Sequence, residues 1–490
     1  MNERGQPLKE NHTIISNGLP LFPNQNESSP YLSNGYYLIV DRFYDGNLKN
    51  NSISNSSIDK KNRFHGGDLI GLLKKIEHGY FNRLGIKNLI ISPLNSNPDS
   101  SFRTSRLPFR RYTGFDGGWP IDSRYIDPRF GNTEELKKII MECHNKQIGV
   151  HLDYIVGYTH VNHSYYKSNL SWYTLTSYLN EAFLSELDFN NIEVIKAITD
   201  DIIYWINEFN INSIRYNSFG NTSQKFWKYL NRVLYSKANG DFKKHNTINN
   251  QSDSRFNIDL YYKARDHFSG LNTNFYELNS FINKNLVELG PINLMETSTG
   301  FNNQVRFISV ADNQATFKDT IDNKLFTDSP KAVINAESYE KLFMFHIMNN
   351  TLPGVPTLFY GDEYGQIGAG GIDSKRDMKF QKQLTILESH LKSRVSKLNS
   401  LRDKYPSLSL GDFFVLRESN NYTVWLKSYY NEKILIFFNL QDKTIELNIP
   451  LPFNSNKLIS LLDNQIIELN NKNMVSLIIP PYKTGIFLIE

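Results

Sequence analysis

The heptapeptide Ile211-Asn212-Ser213-Ile214-Arg215-Tyr216-Asn217 decides how this chain folds. Ile203-Tyr204-Trp205-Ile206 ahead of it lies in an amphipathic helical run, and Lys225-Phe226-Trp227 belongs to another helical pattern behind it. The segment between them is predicted as a short strand joining two helices. Period-two alternation puts Ser213, Arg215 and Asn217 on one face, with Asn217 at the strand's carboxyl end. In a (β/α)8 barrel that end carries the chemistry. Taken alone, an Arg-x-Asn pair reads more readily as structural hydrogen bonding than as a site.

The 490 residues, 40% hydrophobic and 13% aromatic, suffice for one large barrel with a satellite domain. A net charge of +4 over this length argues against a nucleic-acid partner. Cys143 is the sole cysteine, which excludes an intrachain disulfide, and its helical setting "KKIIMECHNKQIG" reads as core. No apolar run approaches the roughly 18 residues of a membrane span. The first 35 residues are rich in Asn, Ser, Pro and Gly and lack the apolar core of a secretory signal. They read as a flexible lead-in, and a cytoplasmic location is expected, or a secreted one had a signal been removed.

The run "EVIKAITDDIIYWINEFNINSIRYNS" (Glu193 to Ser218) resembles the helix and fourth strand of the α-amylase superfamily of glycoside hydrolases. There the strand reads Gly-Phe-Arg-x-Asp and the Asp is the catalytic nucleophile. Arg215 matches the family's arginine, and the nucleophile position holds Asn217. "IDPRFGNTEELKKII" (Ile126 to Ile140) resembles the family's helix entry, and "NNTLPGVPTLFYGDEYGQIGAGGIDSKRDMKF" (Asn349 to Phe380) its eighth strand and following loop. The resemblance implies a (β/α)8 TIM barrel over 36–408 with a C-terminal antiparallel β-sandwich over 409–490, in which "YTVWLKSYY" and "KILIFFNL" are strands. The connection after the third strand is short, so the small domain usually inserted there is expected to be reduced to a loop.

"DRFYDGNLKNN" (Asp41 to Asn51) with "FHGGD" (Phe64 to Asp68) resembles a calcium loop of cyclodextrin glucanotransferases and related amylases. Carried over by position, the ligands are Asp45, Asn47, Asn50, Asn51, Gly66 and Asp68. Calcium takes six to eight hard oxygens, and carboxylates, amides and a backbone carbonyl supply them. An Asx- and Gly-rich surface loop uses the same residue types.

The pocket motifs depart from the family. Its His-Gly-Tyr-Trp-Pro becomes Asp116-Gly117-Gly118-Trp119-Pro120, and Asp-x-Val-x-Asn-His becomes Asp153-Tyr154-Ile155-Val156-Gly157-Tyr158. No Glu stands between Glu208 and Glu277, where the acid/base glutamate would fall; Gly240-Asp241 is the nearest match. The seventh-strand motif is read at Phe307 to Lys318, with Gln314 for the histidine and Ala315 for the stabilising aspartate, or with Asp312 as that carboxylate in a shifted register. His160 and His163 read as loop residues, not as metal ligands.

Retaining glycosidases set two carboxyl groups about 5 Å apart, one to attack the anomeric carbon and one to protonate the leaving oxygen. An amide at 217 cannot form the glycosyl ester. These departures imply an amylase-like protein without hydrolase activity that binds an α-glucan, through Trp119, Tyr158, Arg215, Asn217 and Gln314, or binds a protein partner. The alternative is a divergent α-glucan hydrolase or transglycosylase recruiting Asp241 or Asp312.

Overall fold

A computed structural model describes residues 15–16, 19–20, 33–51, 58–105, 110–217, 222–237, 254–289, 294–312, 335–469 and 473–490. The chain divides into two compact units. One comprises Gly35–Asp253 with Lys375–Met378; the other includes Ser254–Ser374 and Lys379–Glu490.

The first unit rests on the parallel strands β1 (Gly35–Leu38), β2 (Asn88–Ile91), β3 (Gly149–Ile155) and β4 (Ser213–Asn217), each paired with the next. Helices Leu69–Glu77, Thr133–Asn145 and Ile192–Phe209 lie in the crossovers. β1 and β2 are buried along their whole length, as parallel strands covered on both faces must be. The stop and start signals work as the sequence suggests. Gly85, at φ +75°, takes the left-handed turn between helix and β2. Asn132 caps Thr133–Asn145, accepting from the Glu135 N–H at 3.1 Å while the Glu135 carboxylate accepts from the Asn132 N–H at 3.2 Å.

The connection after β3 is not the loop expected. Tyr158–His160, Leu184–Leu187 and Tyr173–Ser177 form a three-stranded antiparallel sheet in that order. Its outer strand exposes Thr174, Leu175 and Thr176 to solvent, so no apolar alternation announces it.

In the second unit the strands Ser254–Phe256, Leu294–Ser298 and Val355–Phe359 are parallel, with helices Ile258–Ser269, Phe275–Leu289 and Ala336–Thr351 between them in sequence. Strand–helix alternation through both units is that of a (β/α)8 barrel, followed by antiparallel β structure, the fold class expected. The seventh-strand reading is corrected. Phe307–Ala311 is a buried helix, and the strand that pairs with Val355–Phe359 is Leu294–Ser298. A short apolar run such as Phe-Ile-Ser-Val-Ala does not distinguish a buried helix from a strand.

Tyr422–Tyr429 and Glu432–Asn439 are the strands read from the C-terminal sequence, and they pair in register. The sheet they share with Asp412–Glu418, Lys483–Ile489, Lys457–Ser460 and Ile466–Glu468 packs on the pair Ile445–Pro450 and Met474–Ile479. Val424, Leu435, Phe437, Ile449, Val475 and Phe487 meet between the two layers. No helix among the described residues is long and apolar enough to cross a membrane.

A single buried guanidinium closes the turn ahead of Val355–Phe359. Arg402 donates to the carbonyls of Asn350, Leu352, Leu408 and Gly354 at 2.5–3.3 Å. Burial pulls its pKa down, to about 9, against the opposing charge of Asp403. Stranding buried carbonyls costs about 1–3 kcal/mol each. Arg402→Met is therefore expected to destabilise the protein by at least about 3 kcal/mol, seen as a fall of roughly 3 °C or more in melting temperature; an unchanged melting curve would contradict this role.

Candidate functional site

The period-two reading of β4 holds in the contacts. Register sets Ser213 beside His151 and Arg215 beside Asp153 on β3. In the lower layer His151 bonds Ser213 through Nδ1 and the Asn88 amide oxygen through Nε2 at 3.0 Å. One layer toward the carboxyl ends, the Asp153 carboxylate, 2% exposed, collects three donors on Oδ2. Tyr37 Oη lies at 3.0 Å, and Arg215 Nη1 and Asn217 Nδ2 each lie at 3.4 Å. The Arg215 guanidinium also stands 5.1 Å from the Tyr37 ring centroid. Burial first, then the Asp153 charge, hold the Tyr37 hydroxyl well above the usual phenol range, so it remains a donor.

This arrangement gives Asn217 a defined chemical role. Its amide nitrogen donates to Asp153, which an aspartate in that place could not do. Asp153 itself is buried, with Tyr37, Arg215 and Asn217 gathered on its Oδ2, so it ties the ends of β1, β3 and β4 together. The group can orient a bound hydroxyl through Arg215, Asn217 and Tyr37, but it offers no free carboxylate pair.

The other expected contacts sort as follows. Trp119 is half-buried in an aromatic cluster, with ring centroids 4.8 Å from Phe183, 6.0 Å from Phe102 and 6.3 Å from His160. Tyr158 is stacked on Tyr178 at 3.9 Å, and its hydroxyl donates to the Gly118 carbonyl at 2.9 Å. Both rings are thus engaged in packing the inserted sheet. His160 and His163 use Nδ1 to accept from the N–H groups of Asn162 and Tyr165, and burial lowers both to about 4. They are neutral turn-forming residues. Asp312 does not stand at a strand end: it follows the helix Phe307–Ala311, and its carboxylate accepts from Ser338 Oγ at 3.4 Å. Asp241, Gln314 and Ala315 lie outside the described residues.

Two features were missed. Tyr37 sits in the apolar run of β1, where its hydroxyl gave no signal. Lys375, from "IDSKRD", donates to Asp116 at 2.5 Å, a pairing between residues too far apart in sequence to suggest it.

The loop Asp45–Asn51 is folded against Gly66–Asp68. Asp68 caps the helix Leu69–Glu77 by accepting from Gly71 N–H at 2.6 Å, and also accepts from Asn47 N–H at 2.8 Å. Burial, opposed by these N–H groups and reinforced by the Asp45 charge, raises its pKa. Asn51 donates to Asp45 Oδ2 at 2.8 Å. Gly66, at φ +95°, passes so close to Asn51 that a Cβ would stand 2.4 Å from the Asn51 amide oxygen. Asp45 Oδ1, Asn50 Oδ1 and Asn51 Oδ1 are all buried without a hydrogen-bond partner. Orphaned buried oxygens are costly, and carboxylate and amide oxygens are of the kind that hard cations take.

The α-amylase catalytic-domain family matches residues 37–178. A cyclomaltodextrin glucanotransferase from Bacillus sp. (strain 6.6.3) is 24% identical over 77% of this chain and 54% of its own length. A cyclomaltodextrinase from Geobacillus thermopakistaniensis is 24% identical over 93% of this chain and 76% of its own. The chain thus spans about half the length of the glucanotransferase it matches. In fold it is similar to an Anoxybacillus α-amylase, with a TM-score of 0.77 at 23% identity over 94% of this chain and 99% of the other.

Restoring a carboxylate at 217 tests the role of the amide. In Asn217→Asp two carboxylates would share the Tyr37–Arg215 donors, raising the folded-state pKa of one of them. A carboxyl with a raised folded pKa stabilises below its unfolded pKa, and the contribution is lost as pH rises through the folded pKa. Relative to wild type, the variant is expected to lose on the order of 1 kcal/mol at pH 7.5 and to recover it as pH falls to about 3.5, below the unfolded carboxyl's pKa. Equal urea midpoints for the two proteins at both pH values would contradict the amide's role.

Proposed function

We propose that this chain, a member of the α-amylase superfamily, binds α-glucan without hydrolysing it by the family's two-carboxylate route. The observation that carries the reading is the Asn217 amide donating to Asp153 at the carboxyl end of β4, where a nucleophile needs an anionic oxygen. General acid–base assistance contributes about 10²- to 10⁴-fold on its own, and a missing nucleophile removes the covalent route entirely. The relatives named above, a cyclomaltodextrin glucanotransferase and a cyclomaltodextrinase among them, support α-glucan as the ligand class. Arg215 and Asn217 keep further N–H donors and an amide acceptor for sugar hydroxyls, while the Tyr37 hydroxyl, its proton given to Asp153, can only accept. The competing reading, a divergent hydrolase or transglycosylase, depends on a substitute carboxylate such as Asp241.

We further propose a calcium ion held by Asp45, Asn47, Asn50, Asn51, the Gly66 carbonyl and Asp68, a set that fits the three orphaned oxygens. When bound, calcium would neutralise the loop's carboxylates and satisfy these oxygens. The chain's own contribution is the pre-folding of the loop. Asp68 fixes the turn at Gly46 and Asn47, and Asp41 holds the His65 and Gly66 N–H groups at 2.9–3.1 Å.

Two measurements test these readings. Incubated for days at high protein concentration with labelled maltooligosaccharide and calcium, the wild-type protein is expected to release no shorter product. Turnover abolished by Asp241→Ala would establish the hydrolase reading instead. Millimolar calcium is expected to raise the melting temperature, a chelator to lower it and Asp45→Ala to abolish the difference, since a ligand that binds only the folded state stabilises it. An identical melting temperature in calcium and in chelator would rule out the ion.

A further inference from the structure

The Asp116–Lys375 pair joins two segments far apart in the sequence. Lys375 belongs to the short segment Lys375–Met378 that packs with Gly35–Asp253. Its side chain is 6% exposed, whereas that of Asp116 is 23% exposed, so the lysine is hidden and the aspartate side chain reaches solvent in part. Lys375 Nζ donates to Asp116 Oδ2 at 2.5 Å, and the Gly118 N–H donates to Oδ1 at 3.2 Å.

The backbone around both residues is fixed. Gly117, at φ +77°, lies so close to the chain just after β2 that a Cβ would stand 2.0 Å from the Pro93 carbonyl oxygen. Only glycine lets the Asp116 turn press onto that strand end. On the other side, Arg42 Nε donates to the Lys375 carbonyl at 2.9 Å, and the Arg42 carbonyl accepts from Met378 N–H at 2.8 Å. The Phe115 ring lies between the cations, 3.7 Å from the Arg42 guanidinium and 5.6 Å from Lys375 Nζ.

Gly117 against Pro93 and Lys375 against Arg42 set the pair just past the carboxyl ends of β2 and β1, the end of the strands at which Arg215 and Asn217 stand on β4. Lys375 is bonded to Asp116, and Tyr37 is a titratable group on which Asp116 acts electrostatically. Burial would push the Asp116 carboxyl up, but the Lys375 charge and hydrogen bond outweigh it and hold the group below the usual carboxylate range.

We propose that Asp116 is a specificity residue of the glucan site, accepting hydrogen bonds from sugar hydroxyls, and that Lys375 is the positioning residue that holds its carboxylate in place. The inference rests on the α-glucan reading. A carboxylate fixed on one side by a buried cation keeps lone pairs for vicinal hydroxyl donors on the other. It also disfavours an anionic sugar, whose carboxylate would meet Asp116 before reaching Lys375.

Binding of maltoheptaose, measured by calorimetry with calcium present, tests the pair. Asp116→Asn is expected to weaken wild-type affinity about tenfold or more, the loss of a charge-assisted hydrogen bond. Lys375→Met should bind nearly as wild type at pH 8 and lose affinity toward pH 5.5, as the unsupported carboxyl takes a proton; wild-type affinity should stay flat over that range. A merely structural lysine would not create that pH dependence. Melting curves check that both variants fold, and either alone suffices if the other does not. Wild-type affinity in Asp116→Asn, or a flat profile in Lys375→Met, would overturn the inference while leaving the glucan reading intact. No binding of maltoheptaose by the wild-type protein at millimolar concentration would overturn both.

Discussion

One buried carboxylate organises the site. Asp153 is removed from water at the end of β3, and a bare charge there would cost several kcal/mol. Tyr37 from β1 and Arg215 and Asn217 from β4 converge on one of its oxygens. This requirement for donors explains the amide at 217. An aspartate there would set two negative charges against one guanidinium and one phenol. With asparagine, the side chains at 37, 215 and 217 all donate to Asp153.

The Asp45–Asn51 loop and the Asp116–Lys375 pair follow the same physical rule at other points. Each buries polar atoms that must find a partner. At Asp116 the partner is built into the chain, through a lysine that returns from position 375. In the loop, Asp45, Asn50 and Asn51 direct oxygens inward with no protein donor to meet them. The two solutions differ in what they demand of the environment. Lys375 is always supplied, and an ion is not.

The fold was legible where local signals agree. The Asn132 capping box, the left-handed Gly85 and the alternation Ser213-Arg215-Asn217 each named an element and a face that the structure keeps. It was illegible where burial hides periodicity. Phe307–Ala311, buried throughout, was read as a strand and is a helix, which moved the expected site to Asp312 and away from the end of Leu294–Ser298. The inserted sheet was missed for the opposite reason, since its outer strand is exposed and carries Thr and Ser between its larger side chains. Within the site, Arg215 and Asn217 could be read from one strand. Tyr37 and Lys375 could not, because their roles depend on partners 116 and 259 positions away in the chain.

The account depends on the absence of a working carboxylate pair around a bound sugar. A crystal structure of the wild-type protein soaked for days with a long maltooligosaccharide and calcium examines this directly. The account predicts an intact glucan chain over Arg215 and Asn217, with no two carboxyl groups flanking any glycosidic oxygen at the roughly 5 Å separation that retention requires. A cleaved chain, a sugar joined covalently to a carboxylate, or two carboxyl groups closed about one linkage would contradict it.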